Sequence, residues 1–297
     1  MNHSVICIRR CLTFFLCIAL ILSLSATPAF AADQTDLIGG TDSGIINILL
    51  VGNDQREESV SRSDCILLCS FHSEPKQITM VSFLRDLYVR IPDHENNRLN
   101  AAYAIGGTEL LKRCLQENFS LHIDGCIEAD FSQFPKIIDS LGGVSIELRQ
   151  DEADRLNASI GGNLQAGTQV LNGDQALAYS RIRNLDPDGD FSRTERQRKL
   201  MSSLLYRYRD SDLLTILSAV VDTLPMITTD LSKRQILLLT ARLFPMLDSP
   251  EIVSQRIPSD GSYRYETIRG MNILTADPAD IRLQLRNALL PENIGIS

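Results

Sequence analysis

The sequence predicts an α/β fold, a central mixed β-sheet covered by helices on both faces. Two observations predict it. Three short apolar runs rich in β-branched residues follow one another closely at 45–51, 63–70 and 77–83, and their continuous rather than alternating hydrophobicity is that of strands buried on both faces. After them, helix-periodic segments alternate with further strand-like runs, so the chain reads strand-rich, mixed, helix-rich, mixed, an order that suits a sheet layered with helices.

Each element has a local reason. The first run ends at Gly52, and Glu74-Pro75-Lys76 forms the turn between the second and third. Strands in such quick succession imply antiparallel or mixed pairing. Helices are expected at 108–119, entered after Gly106-Gly107, and at 131–141, closed by Gly142-Gly143. Strands fill 121–129 and 144–148. A helix over 172–181 takes Asn172 as its N-cap, and a longer one starts near Ser192, where Ser192-Arg-Thr-Glu195 has capping-box spacing. Further helices are expected at 213–224 and 231–247, strands at 252–257 and 263–268, and a last helix at 278–289 capped by Asp277.

The N-terminus indicates the compartment. Arg9 and Arg10 precede an apolar run of roughly 14 residues, shorter than the ~20 that span a bilayer, and an Ala29-x-Ala31 cleavage pattern follows. Residues 1–31 are therefore expected to be a signal peptide, with an uncleaved membrane anchor as the alternative. Residues 32–44 read as a short polar tether, and 45–290 as one domain, since no linker, repeat or low-complexity tract interrupts them. Loss of the leader takes the net charge from −8 to −10, because residues 1–31 contain two arginines and no acidic residue. That balance argues against bulk attraction to nucleic acid. All but five of the 29 basic residues are arginine, the residue that grips phosphate oxygens in bidentate fashion, although codon bias gives the same composition.

Four cysteines remain after the leader, Cys65, Cys69, Cys114 and Cys126; an exported chain permits disulfides, but their apolar settings favour buried thiols. Zinc is disfavoured by the lack of CxxC and HExxH spacing. Nucleotide-binding glycine loops and the G-x-S-x-G elbow are missing too.

What stands out is charge at strand ends. Asp54 and Arg56 follow the first strand, Arg62 and Asp64 precede the second, and Arg85 and Asp86 follow the third. If the strands are neighbours, these groups share one edge. Two carboxylates suit Mg²⁺, and Arg85 suits a phosphate or a developing charge; equally, the loop can be a solvated one, with Arg85 paired to Asp86 or Asp64. A second group, Arg181, Arg183, Arg193, Arg196 and Gln197, surrounds a helix start, where positions 193, 196 and 197 share a face near the positive end of the dipole. Asp188 and Asp190 are candidate counter-ions there.

At these residues the sequence resembles the LytR-CpsA-Psr family of cell-wall glycopolymer ligases. The resemblance rests on Ile48-Leu-Leu-Val-Gly-Asn-Asp-Gln-Arg56, Arg62-Ser-Asp64, Ser82-Phe-Leu-Arg-Asp86, Asn100-Ala-Ala-Tyr-Ala-Ile-Gly-Gly107, Leu141-Gly-Gly-Val144, Tyr179-Ser-Arg-Ile-Arg183 and Asp190-Phe-Ser-Arg-Thr-Glu-Arg-Gln197, in that order. It implies an α/β/α sandwich that moves a glycopolymer phosphate from a polyprenyl-pyrophosphate carrier to a peptidoglycan hydroxyl at the outer face of the cytoplasmic membrane. It further implies that Asp54 and Asp64 hold Mg²⁺, with Mn²⁺ as a substitute, and that Arg85 assists phosphotransfer. Arg56, Arg62, Arg85, Arg181, Arg183, Arg193, Arg196 and Gln197 would line the pyrophosphate site. Asp64 and Asp86 are the candidate bases for the acceptor hydroxyl. Phosphoryl transfer needs positioning and charge stabilisation more than a covalent nucleophile, which fits the inventory. Two other readings use the same residues: a non-catalytic polyprenyl-phosphate binder, and a pyrophosphatase with water as acceptor. The chain departs from the family in Phe83-Leu84, where Ile-Pro is usual before the arginine, and in Ser192, where glycine is usual.

Overall fold

In the computed structural model, residues 37–40, 44–53, 63–183, 185–186, 189–248 and 250–290 are described. Among them, six strands form a mixed sheet in the order β10-β3-β2-β1-β6-β9. These are β1 (Ile45–Asn53), β2 (Ser63–His72), β3 (Gln77–Phe83), β6 (Gly125–Asp130), β9 (Thr228–Thr229) and β10 (Glu251–Ile257). The first three form an antiparallel meander, as their close succession predicts, while β6 runs parallel to β1 and β10 parallel to β3. Three further pairs stand apart from the sheet: β4 (Tyr88–Val89) with β5 (Asn97–Arg98), β7 (Val144–Leu148) with β8 (Gly167–Leu171), and β11 (Arg264–Ile268) with β12 (Met271–Thr275).

Eight α-helices complete the described fold: α1 (Leu99–Phe119), α2 (Phe134–Ser140), α3 (Gln150–Ile160), α4 (Gly173–Ser180), α5 (Asp190–Arg207), α6 (Leu213–Thr223), α7 (Lys233–Leu243) and α8 (Pro278–Leu289). Alternation along the strands sends side chains to both faces. Leu49, Val51, Ile66 and Leu68 pack with Leu111 of α1 and Leu285 of α8, whereas Ile48, Leu67, Cys69 and Met80 pack under Leu205 of α5 and Leu239 of α7. Helices therefore cover both faces, the α/β/α sandwich. A third cluster joins α2 to α5 around β7 and β8, with Tyr179 and Leu156 fully buried.

Several expected boundaries match. Asn172 accepts from the Gln175 amide and caps α4, Asp277 caps α8, and the amides of Leu141, Gly142 and Gly143 close α2 on the carbonyls of Ile137, Asp139 and Ile138. Others differ. The first helix begins at Leu99 and carries a kink at Gly106-Gly107, where Gly107 takes φ +64°, a region open to glycine. The long helix begins at Asp190, so Ser192 lies inside its first turn and forms no cap. No helix is expected from sequence at α3, whose strongly polar segment buries only Glu152, Ala153 and Leu156.

Among the described residues Cys65, Cys69, Cys114 and Cys126 are free thiols. Burial pushes Cys69, Cys114 and Cys126 up to about 12. Residues 1–31 lie outside the described residues, as does most of 32–44; Ile38, within the expected tether, is 1 % exposed and bridges Leu121. No helix among the described residues is long and apolar enough to cross a membrane.

Candidate active site

One end of the sheet gathers the charge. β1, β3, β6 and β10 finish there and β2 starts there, so residues beyond each strand end converge on one rim. A β-bulge sharpens the convergence. Gly52 pairs with Cys65 but Asn53 pairs with Ser63, leaving Asp64 without a ladder partner. A bulged residue turns its peptide groups and side chain out of register. Here the Asp64 carbonyl accepts from Arg193 Nη2 at 3.0 Å, and its carboxylate accepts from Arg85 Nη1 at 2.5 Å.

Arg85 is aimed by the turn that carries it. Phe83 and Leu84 are both 2 % exposed; Phe83 stacks on Phe119, and the Leu84 amide donates to the Ile257 carbonyl. The Arg85 carbonyl accepts from the Asn100 amide, which ties the turn to the start of α1. The departure from Ile-Pro at these two positions thus leaves Arg85 facing Asp64. Its guanidinium also meets Asp190 at 3.1 Å and Asp86 at 3.5 Å. Burial disfavours its charge, but Asp190, Asp64 and Asp86 outweigh that and raise its pKa. Asp190 sits in the first turn of α5, where the helix dipole favours a carboxylate. It also meets Arg183 at 3.4 Å and Arg193 at 3.6 Å.

Arg193 is different. Its side chain is only 3 % exposed; burial and the neighbouring Arg85 and Arg183 work against its charge more than Asp190 and Asp64 support it, so its pKa is lowered. Its Nε finds no hydrogen-bond acceptor among the described residues. With Arg98 held on Asp86 at 3.2 Å, four guanidiniums here face three carboxylates. Part of the guanidinium capacity is unspent, which is what an anion needs. Of these groups Asp64, Arg85, Asp86, Asp190 and Arg193 border a cavity of about 120 Å³, which Tyr265, Asn272 and Leu274 of the β11–β12 hairpin also line.

A second cavity, about 190 Å³, lies beside the first and is almost wholly apolar. Its walls include Leu50, Leu67, Ile127 and Ala129 of the sheet, Phe131 and Ile137, and Leu200, Met201 and Leu204 of α5. Two neighbour relations link the cavities: Asp64 borders the charged one and Cys65 the apolar one, while on α5 Arg193 borders the first and Gln197, one turn on, the second. Burial pushes the Cys65 thiol up to about 11.

The other residues singled out from sequence separate. Arg196 leaves the shared helical face expected for 193, 196 and 197. It is 2 % exposed, donates to Glu152 at 2.8 Å, to the Ile182 carbonyl at 3.3 Å and to Asp186, and borders neither cavity. Arg181 lies over the Phe131 ring at 4.6 Å and borders a shallow depression by α3 and α4. Asp54, Arg56, Arg62 and Asp188 lie outside the described residues. Sequence reasoning did not single out Arg98, Glu152 or Asp186; the last two are partners of Arg196, for which an arginine-counting argument has no signal. Among the described residues no three His, Cys, Asp or Glu side chains group as a metal cage.

Comparison with known proteins places the chain. Residues 25–284 match the model of the LytR_cpsA_psr family. The regulatory protein MsrR of Staphylococcus aureus (strain COL) is 37% identical over 163 residues, which cover 54% of this chain and 48% of MsrR, so the chain spans about half the length of that relative. The polyisoprenyl-teichoic acid–peptidoglycan teichoic acid transferase TagU of Bacillus anthracis is 30% identical over 253 residues, covering 82% of this chain and 79% of TagU. Among solved structures, TagT bound to LIIa-WTA superposes with a TM-score of 0.69 at 24% identity, covering 87% of this chain and 96% of that one. A TagT structure with bound octaprenyl pyrophosphate lipid gives 0.65 at 23%, covering 90% and 99%. Those two likenesses establish the shared fold, and with the family match along nearly the whole described chain they show that this protein belongs to the LytR-CpsA-Psr family.

Proposed function

We propose that the protein is a transferase that takes a glycopolymer phosphate from a polyprenyl-diphosphate carrier and joins it to a hydroxyl of peptidoglycan, outside the cytoplasmic membrane. One observation carries the reading: a guanidinium-rich cavity and an apolar cavity share one strand and one helix, through Asp64 beside Cys65 and Arg193 one turn before Gln197. A ligand with a charged head and a prenyl tail is what such a pair accommodates. The relative named a teichoic acid transferase and the TagT structure carrying octaprenyl pyrophosphate support the same reading.

The chemistry follows from the residues. The acceptor oxygen attacks the phosphorus on the glycan side, a new O–P bond forms, and the bond to the departing polyprenyl phosphate breaks. Arg85 and Arg193 stabilise charge gathering on the non-bridging oxygens. The acceptor proton passes to a carboxylate bordering the cavity, Asp86 or Asp64. Asp64 offers hard oxygen donors, which suit Mg²⁺ or its substitute Mn²⁺; with Asp54 it would hold that ion. Such an ion neutralises diphosphate charge.

The test supplies the full chain with polyprenyl-diphosphoryl oligosaccharide, peptidoglycan and Mg²⁺. Glycan bonded to wall material through phosphate is expected, and Arg85→Ala should abolish it. Free glycan phosphate instead would indicate a pyrophosphatase, and lipid binding unaltered by Arg85→Ala with no product would indicate a binder.

A further inference from the structure

The β11–β12 hairpin is a wall of the charged cavity that phosphate chemistry leaves unused. It is tied to the site rather than dangling from it: the Leu274 amide donates to the Asp86 carbonyl at 2.9 Å, and Leu274 bridges Leu87. On its outer strand Tyr265 borders the cavity while 70 % exposed. One exposed aromatic on a ribbon is ordinary. This one leads a row of rings. Tyr265 meets Tyr263 edge to face at 5.6 Å, Tyr263 meets Phe191 at 5.5 Å, and the Arg256 guanidinium lies 3.9 Å over Phe191. The row begins on α5, two residues before Arg193, so the helix that supplies the guanidinium also supports the rings. Asn272, on the paired strand, brings an amide to the same cavity wall.

A rigid aromatic face with an amide beside it, at the lip of an anion cavity, matches one chemical class. A pyranose ring presents a face of C–H groups that lies on an aromatic ring, and hydroxyls that hydrogen-bond an amide. A pre-oriented tyrosine supplies that contact at low entropic cost. No hairpin residue borders the apolar cavity. We propose that Tyr265, backed by Tyr263 and Phe191 and flanked by Asn272, is a pyranose-stacking subsite that holds the sugar next to the transferred phosphate. The inference rests on the charged cavity taking a lipid diphosphate.

A pyranose can come from the donor or from the wall acceptor, and calorimetric titration of the full chain separates the sources. Three probes are used: a short-chain prenyl diphosphate, the same lipid carrying an N-acetylhexosamine, and a soluble peptidoglycan oligosaccharide. Tyr265→Ala should weaken the glycosylated lipid by about tenfold. The sugar-free lipid should change by less than twofold, and Tyr265→Phe should retain wild-type affinity for all three. If the loss falls on the oligosaccharide instead, the subsite stands and its sugar belongs to the acceptor. If Tyr265→Ala binds all three probes like the wild type, or loses the sugar-free lipid equally, the subsite is wrong while the proposed function survives. If the wild type binds no prenyl diphosphate, both fail.

Discussion

Arg193 and Arg196 lie one helical turn apart on α5, and replacing each by alanine should give opposite results. Arg196 and Glu152 are each 3 % exposed along the side chain, paired at 2.8 Å, with Asp186 and the Ile182 carbonyl completing the guanidinium's shell. Its pKa is raised: burial opposes the charge, but hydrogen bonds to Asp186 and Glu152 prevail. Removing Arg196 strands a buried carboxylate, a loss of about 3–5 kcal/mol. For a chain of this size each kcal/mol moves Tm by roughly 2–4 °C, so a drop on the order of 10 °C is expected. Arg193 is the reverse, since burial and two neighbouring arginines already work against its charge. Arg193→Ala should leave Tm within a few degrees, or raise it, as functional groups held at a cost to stability do. It should instead abolish binding of a prenyl diphosphate. Differential scanning fluorimetry beside titration with that lipid reads both quantities. An Arg196→Ala protein with wild-type Tm and no lipid binding, or an Arg193→Ala protein that melts much lower yet still binds, would refute the division of roles.

Three further outcomes are expected. Ala129→Phe places a ring in the apolar cavity, and should lower affinity for a long-chain prenyl diphosphate at least tenfold while sparing a short-chain one; equal affinity for both would remove the lipid from that cavity. Asp186 has a depressed pKa, because hydrogen bonds from Arg196 and Arg149 overcome the upward push of burial. Its contribution is therefore complete above the ordinary carboxylate value near about 4 and is lost as pH falls through its lower folded value. Urea unfolding at descending pH should fall more steeply for the wild type than for Asp186→Asn, and parallel curves would count against the network. Gly173 leaves no room for a side chain, since a Cβ there would lie 2.1 Å from the Pro135 carbonyl oxygen. Gly173→Ala should cost about 1–3 kcal/mol in denaturant unfolding, with the helix content kept.

The sequence by itself determined the layered architecture and the compass of the site. Strands buried on both faces must be apolar throughout, so β1, β2 and β3 declare themselves, and charges such as Asp64 and Arg85 stand out because they interrupt that apolarity at the strand ends. Caps are equally local: Asn172 and Asp277 act through amides two or three residues away. Tertiary structure decided what each charge is for. Arg193 and Arg196 share a residue type, a helix and a motif, yet one faces Asp64 across 129 positions of chain and the other faces Glu152 across 44. The bulge that frees Asp64 is a matter of register between two strands, and α3 is stable only because Leu156 and Glu152 find partners elsewhere. Local pattern carries information over a few residues, the range of a helical turn or a strand pleat. Whether a guanidinium is satisfied by a buried carboxylate or left to hold an anion is settled by partners brought near only when the chain folds.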